Sequence, residues 1–467
     1  MLGLTLAVHD LFKVRLTSVL RVDLTLVIQT VIFFTNKSMR TLHTLLSLLT
    51  HSLTHSLPHC LKCHPIHYLN QIMSNTHSDT HSDSDSLSNS RVVTLPNGVI
   101  MPRIGLGTYQ MNEHDLEIAI PAALDAGYRL FDTAASYKNE QFIGKILTQE
   151  LSTRNLTRRD VFITTKLRPA DQGYEKAIAA LCKSASYFDG YIDLYLIHWP
   201  GVAKISPGDE RNRTRREETW QALQDIYYLH CQAECKGDEG NDSSVEDNSR
   251  NVNNTESDKT LLEKLNGVHV RAIGVSNFTV SHLESLASST NFRTYPHVNQ
   301  CELHLGYKPA DLTSFCIQHS IHLQSYSSLG CGKLLHDDFL KQFPAIRNIA
   351  QSRLMLIQAM QNITQPLEES RKERNSSCEN ETDTTAALIS CVAGVCLRWA
   401  VQQGYSIIPK SRSPQRIVDN ITMAFAKDEA GTNSISFRLS QNEMENLNSI
   451  SESTTCQKIC WDGSTVL

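Results

Sequence analysis

Downstream of Arg91, short apolar runs alternate with stretches whose apolar residues recur at helical spacing. The runs fall at 104–107, 128–133, 161–166, 194–199, 272–276, 297–301, 321–326 and 405–409, which makes eight expected strands. Helical patterns cover 116–126, 174–187, 217–229, 281–287, 310–319 and 386–403. Pro121 stands inside the first pattern and is expected to kink or shorten that helix. Ahead of the first run, Val92-Val93-Thr94-Leu95 and Val99-Ile100 flank Pro96-Asn97-Gly98, the signature of a β-hairpin turn. Eight strands alternating with helices predict an α/β chain, a (β/α)8 TIM barrel with an N-terminal β-hairpin. A doubly wound open sheet is the competing architecture.

Two polar stretches break this rhythm. Residues 232–260 are rich in Asp, Asn, Ser, Glu and Gly, residues 365–384 are similarly polar, and both read as disordered insertions outside the barrel. With its flanks the second is placed at about 337–385, so the chain divides into a low-complexity extension over 1–90 and a barrel over 91–467. In the extension, Thr50-His51-Ser52-Leu53 repeats at once as 54–57, and Thr76-His77-Ser78-Asp79 repeats as 80–83, repeats that build no core. The first 70 residues hold only two acids, Asp10 and Asp23, as a transit peptide does. The other reading is a stretch outside the mature protein, with Met73 as start. Cytoplasmic localisation is expected, with a mitochondrial or plastid address if the stretch is a true transit peptide. The apolar run 24–34 is about half of the roughly 20 residues a spanning helix needs. Cys60-Leu61-Lys62-Cys63-His64 has the spacing of a haem attachment site, but it is a lone short motif without an axial partner.

Composition narrows the classes. The chain has 467 residues, 40% hydrophobic and 20% charged, as in globular proteins. A net charge of -5 gives no reason to expect nucleic acid or a membrane as partner. Thirteen scattered cysteines fit a reducing compartment rather than a disulfide scaffold. No metal-ligand spacing appears in the barrel.

Four polar residues stand at or just beyond the carboxyl ends of consecutive strands: Asp132, Tyr137, Lys166 and His198. That rim is where a β/α barrel builds its active site. Taken singly, each has an ordinary reading as a cap, a packed ring, a solvated strand end or a core histidine. Together they suit reduction of a carbonyl, which needs a hydride on carbon and a proton on oxygen. Tyr137 is the expected acid, its pKa lowered by the Lys166 ammonium. Asp132 would hold Lys166, and His198 would orient the substrate oxygen. Gly105-Leu106-Gly107 does not make a dinucleotide fingerprint, because Gln110 stands where the third glycine belongs. Lys410 and Arg416, six residues apart across a strand-to-helix loop, have the chemistry of a phosphate-monoester site.

Longer motifs carry a resemblance. Gly127-Tyr128-Arg129-Leu130-Phe131-Asp132-Thr133-Ala134 with Tyr137-Lys138-Asn139-Glu140, then Ile163-Thr164-Thr165-Lys166-Leu167 and Asp193-Leu194-Tyr195-Leu196-Ile197-His198-Trp199-Pro200, resemble the signatures of the aldo-keto reductase family. So do Ile273-Gly274-Val275-Ser276-Asn277-Phe278, Val298-Asn299-Gln300 and Ile408-Pro409-Lys410-Ser411. The resemblance runs over about 91–463 and points to small-carbonyl, 2,5-diketogluconate reductase-like members. It implies a tetrad of Asp132, Tyr137, Lys166 and His198, and NADPH lying across the barrel rim. Thr108 would lie beside the cofactor, Ser276, Asn277 and Gln300 at the carboxamide, and Tyr326 under the nicotinamide ring. Ser327, Leu329 and Gly330 would cross the pyrophosphate, with Lys410, Ser411, Arg416 and Asn420 at the 2′-phosphate and adenine. Tyr109, Trp199 and Trp461 are candidate walls of the substrate pocket. The implied activity is NADPH-dependent reduction of aldehydes or ketones by a monomer; the alternative is a channel-subunit-like regulatory barrel with little turnover. Leu305, where the family commonly has proline, and Gly330-Cys331-Gly332-Lys333 depart from the pattern. An insertion straight after that loop bears on how it closes over NADPH.

Overall fold

The computed structural model describes residues 90–237, 256–364, 379–425, 437–451 and 458–467. The apolar run, the repeats, the Cys60–His64 motif and Met73 lie outside these residues, as do 238–255 and 365–378 of the two polar stretches.

All eight expected strands form. The hairpin is β1 (Val92–Thr94) and β2 (Ile100–Pro102), paired antiparallel. The barrel strands are β3 (Gly105–Gly107), β4 (Leu130–Asp132), β5 (Phe162–Leu167), β6 (Tyr191–Ile197), β7 (His269–Ser276), β8 (Val298–Glu302), β9 (His322–Tyr326) and β10 (Ser406–Ile407), each parallel to the next. A parallel bridge between Ile104 and Ile407 joins the last strand to the first, with the Ile407 amide donating to the Arg103 carbonyl at 2.8 Å. At the same seam a Cβ on Gly107 would stand 2.7 Å from the Ile408 carbonyl oxygen, so only glycine lets the two strands meet.

Successive side chains on a strand point to opposite faces, so residues two apart share one. Leu130, Phe162, Leu194, Leu196, Ala272 and Val298 pack together with Leu95 and Met101 of the hairpin arm, which close the amino-terminal mouth. Two residues on, the same columns turn polar, at Asp132 above Leu130 and Gln300 above Val298, while Phe162 leads through Thr164 to Lys166. The opposite strand faces, among them Phe131, Ile163, Tyr195, Ile197, Ile273 and Val275, enter the larger core beneath the helices.

The outer helices are α1 (Glu113–Asp125), α2 (Glu140–Thr153), α3 (Tyr174–Ala185), α4 (Arg211–Gly237), α5 (Glu256–Leu265), α6 (Val280–Ala287) and α7 (Ala310–Gln318). They continue with α8 (Asp337–Gln342), α9 (Pro344–Thr364), α10 (Glu379–Gln402), α11 (Pro414–Ala424) and α12 (Gln441–Ser451). Pro121 does not end α1. An Asn112–Asp115 capping box fixes its start, and Leu116, Ala119, Ile120, Ala123 and Leu124 bury one face across the proline. The expected insertion over 337–385 is also corrected at its two ends. Residues 337–342 and 344–364 are helical, because Leu340, Ile346, Ile349, Ala350 and Leu354 recur at a spacing that buries one stripe while polar residues face outward, and residues 379–385 begin α10. Residues 256–260, placed in the first insertion, belong to α5. The segment 384–402 of α10 is long and apolar enough to cross a membrane, yet Cys391, Val392, Val395, Cys396, Leu397 and Trp399 are core residues here.

Candidate active site

At the polar end of the barrel, Lys166 is wholly buried and donates from Nζ to Asp132 Oδ1 at 2.7 Å and to the Thr133 carbonyl at 2.8 Å. The second carboxylate oxygen, Oδ2, accepts from Gln300 Nε2 at 2.7 Å, and Gln300 also donates to Gln324 Oε1 at 2.8 Å. Burial pushes the Asp132 carboxyl up and the Lys166 ammonium down, and their contact pulls each back toward its charged form.

Tyr137 closes a single 3₁₀ turn, Ala135–Tyr137, directly after β4. Lys138, in the left-handed region at φ 60°, ends the turn. Buried Asn139 fastens this loop, accepting from Thr133 Oγ1 at 2.7 Å and donating to the Thr108 carbonyl at 3.0 Å. The Lys166 ammonium lies 5.1 Å from the Tyr137 ring centroid. The His198 ring stands edge-on to Tyr137 at 5.6 Å, and the Tyr109 ring is 5.0 Å away on another side. Asp132, Tyr137, Lys166 and His198 thus meet at one place.

The acidified phenol expected at Tyr137 is not what these surroundings produce. Burial, the Asp132 carboxylate and Tyr109 together hold its hydroxyl well above the ordinary tyrosine range. The Lys166 ammonium that was to lower it, paired with Asp132 at 2.7 Å, does not offset them. Burial and the charge on Lys166 push His198 down to about 3, so its imidazole is neutral near pH 7. Its Nδ1 is buried without a hydrogen-bond partner.

A second network adjoins the first. Asn277, at φ 65°, donates from Nδ2 to the His198 carbonyl and to Ser276 Oγ, both at 3.0 Å, and accepts from the Tyr326 hydroxyl at 2.7 Å. Ser276 Oγ donates to the Gln300 carbonyl at 2.9 Å. Ser276, Asn277, Gln300 and Tyr326 therefore form one chain of contacts reaching His198. Thr108 donates from Oγ1 and N to the Asp132 carbonyl, at 2.8 and 3.0 Å, so its hydroxyl ties β3 to β4. Ser327 and Leu329 enter a loop with Gly330, Cys331 and Gly332 all at positive φ. Trp199 meets the largely exposed Trp461 edge-on at 6.5 Å, and Tyr109 is half exposed.

Lys410, Ser411, Arg416 and Asn420 form a separate group along the β10–α11 connection. Ser413 caps α11 by accepting from the Arg416 amide, and Pro414 starts the helix. Lys410 and Arg416 are exposed, and among the described residues neither has an ion-pair partner, whereas Arg412 between them pairs with Asp115 at 3.0 Å. Asn420 is buried one turn further on.

Three contributors were not singled out from the sequence as site residues: Asn139, Gln324 and Glu302. Gln324 was within reach, because it shares a strand face with Tyr326 two residues away. The partners of Glu302, the Ile459 and Cys460 amides at 2.6 and 2.9 Å, lie too far along the chain for any local pattern to show.

Residues 103–229 and 259–452 match the model of the Aldo/keto reductase family. The chain belongs to the aldo/keto reductase family. As a member it is 31% identical over 366 residues to a 9,11-endoperoxide prostaglandin H2 reductase of Trypanosoma cruzi, covering 78% of this chain and 93% of that protein. It is 30% identical over 362 residues to a glyoxal reductase of Bacillus subtilis, covering 77% and 92%. A crystal structure of a Gox0644 mutant in complex with NADPH is similar at TM-score 0.52 and 26% identity, covering 80% of this chain and 98% of that one. MGS-M4, an aldo-keto reductase from a Medee basin deep-sea metagenome library, is similar at TM-score 0.52 and 26% identity, covering 80% and 98%.

In this aldo/keto reductase the buried pair sets a test of stability. Asp132→Ala strands an ammonium in the barrel and should cost about 3–5 kcal/mol in urea denaturation. Adding Lys166→Met removes that lone charge and should recover part of the loss. A double variant less stable than the single one would show that the pair does not act as a unit.

Proposed function

We propose that the chain reduces aldehydes or ketones to alcohols with NADPH, and that Tyr137 gives its proton to the carbonyl oxygen. The observation that carries this is the convergence of Tyr137, His198 and the Lys166–Asp132 pair at the polar end of the barrel interior. The surroundings fit a dinucleotide phosphate. Two exposed cations, Lys410 and Arg416, without ion-pair partners among the described residues, stand at a capped helix start, where anions are favoured. Gly107 leaves no side chain at the seam beside Lys410. Lys410, Ser411, Arg416 and Asn420 would hold the 2′-phosphate and adenine, and Ser327 and Leu329 the pyrophosphate. Ser276, Asn277 and Gln300 would hold the carboxamide, with Thr108 close by and Tyr326 beneath the ring. Bound NADPH would supply the hydride.

The chain's own groups account for the proton. The neutral His198 imidazole donates a hydrogen bond to the substrate oxygen and orients it. Tyr137 stays fully protonated at neutral pH and delivers its proton as negative charge grows on that oxygen. The phenolate it leaves is steadied by Lys166, whose ammonium Asp132 keeps in place. Tyr109, Trp199 and Trp461 give the approach an aromatic lining that suits small apolar carbonyls.

Tyr137→Phe removes only the transferable proton. It should lower kcat by roughly 10²–10⁴-fold with aldehydes in an NADPH-oxidation assay, with NADPH binding unchanged. Loss of binding in step with turnover would remove Tyr137 from the acid's role. NADPH binding by the unaltered chain, with no turnover across a panel of aldehydes and ketones, would leave a cofactor-binding barrel instead of a reductase. Lys410→Ala should weaken NADPH by roughly tenfold or more, as expected for losing one hydrogen bond to a charged group, and NADH hardly at all. Equal losses would take Lys410 out of the phosphate site. The pH dependence has a definite sign. His198 is protonated only near 3 and Tyr137 loses its proton only above the ordinary range, so reduction should stay level between about pH 5 and 9. The reverse oxidation needs the phenolate and should climb with pH over the same interval. A fall in reduction through pH 7 would contradict both assignments.

A further inference from the structure

The loop that follows Tyr326 and the carboxyl-terminal segment each present a cysteine, and the two face each other. Cys331 Sγ lies 3.7 Å from Cys460 Sγ, and both are free thiols. Ser327 Oγ sits between them, 3.3 Å from one sulfur and 3.4 Å from the other. Neither cysteine belongs to the reaction proposed above.

Both sides of the contact are held. Cys331 adopts φ 54°, the left-handed region that non-glycine residues enter only under strain, between Gly330 and Gly332 at φ 57° and 91°. On the other side, the buried Glu302 carboxylate accepts from the Ile459 and Cys460 amides and contacts His304 Nε2 at 3.0 Å. The thiols also differ in reach. Cys331 is the one exposed cysteine among the described residues, while Cys460 is half-buried and its thiol is pushed up to about 12 by burial. An oxidant in solution therefore meets Cys331 first, and Cys460 stands behind it as the resolving thiol.

We propose that Cys331 and Cys460 form a reversible disulfide that latches the cofactor loop to the carboxyl-terminal segment and slows exchange of NADPH. The oxidant is a small-molecule disulfide of the glutathione type. The Cys331 thiolate attacks one of its sulfurs, breaking that S–S bond, forming a mixed disulfide and releasing one thiol. The Cys460 sulfur then attacks Cys331 Sγ and expels the second small thiol, which carries away the proton Cys460 gives up. Overall the two protein thiols lose two electrons and two protons, and the external disulfide is reduced to two thiols. The bond ties Ser327 and its loop to a segment anchored by Glu302, so the loop no longer lifts freely. The effect on NADPH rests on the reading of this loop as the pyrophosphate crossing; the bond itself does not.

The test uses the full chain, reduced and then equilibrated with oxidised glutathione. Thiol counting and peptide mass spectrometry should show two thiols lost and one linkage joining residues 331 and 460, reversed by dithiothreitol. The linkage should be absent from Cys331→Ser and from Cys460→Ser. In stopped-flow fluorescence the oxidised chain should release NADPH roughly tenfold more slowly than the reduced chain, within the range usual for coupled sites. A lasting glutathione adduct on Cys331 with Cys460 still free, or a linkage to another cysteine, would overturn the disulfide. A correct linkage with an unchanged release rate would overturn the latch. A reduced chain that binds no NADPH would refute the cofactor reading of the loop, while the mass measurement still decides whether the bond forms.

Discussion

The constraint on which the rest depends is the charge pair inside the barrel. An ammonium and a carboxylate with almost no access to water are tolerable only if each finds partners for its remaining lone pairs and protons. Thr133 and Gln300 provide them, with Gln324 accepting from Gln300 in turn, and those residues come from the ends of β4, β8 and β9. The pair therefore holds the strand ends in register as much as it serves the chemistry. Its neighbours inherit its consequences. Tyr137, buried beside the Asp132 carboxylate, keeps its proton, and burial together with the Lys166 charge keeps His198 neutral. In the proposed reaction, proton donor and hydrogen-bond donor would both be prepared before substrate arrives.

Around that pair the barrel divides its work along its axis. The amino-terminal half is closed by Leu95 and Met101 and filled with leucine, phenylalanine and valine, where burial of apolar surface supplies stability. The carboxyl-terminal half gives up that contribution at Asp132, Lys166, Gln300 and Gln324. The loops beyond it hold left-handed residues at Lys138, Asn277, Ser327 and Cys331. Left-handed residues also stand at Asn155, Asp189, Asn266 and Ser320 in the helix-to-strand loops of the other end, so what sets the carboxyl-terminal rim apart is its buried charge pair.

How much of this was legible in the sequence depended on how local the cause was. The eight strands were readable because strands covered on both faces become continuous apolar runs, as at Tyr191–Ile197. The hairpin was readable from its turn chemistry, and the rim residues from their place at the ends of those runs. Helix α9 was hidden, since its buried stripe of Ile346, Ile349, Ala350 and Leu354 is diluted by polar residues on the outer face. Pro121 misled because packing on both sides of it outweighs the one hydrogen bond it forfeits. The direction of the Tyr137 pKa was beyond reach, because it follows from spacings among Asp132, Lys166 and Tyr109 that no motif encodes. The grip of Glu302 on residues 459–460 is a contact across more than 150 positions of chain, and only the fold brings it about.

The hairpin plug has one more consequence. With Leu95 and Met101 filling one mouth, whatever reaches Lys166 and Tyr137 comes in by the other. In the proposed reaction cofactor and substrate would therefore share a single entrance.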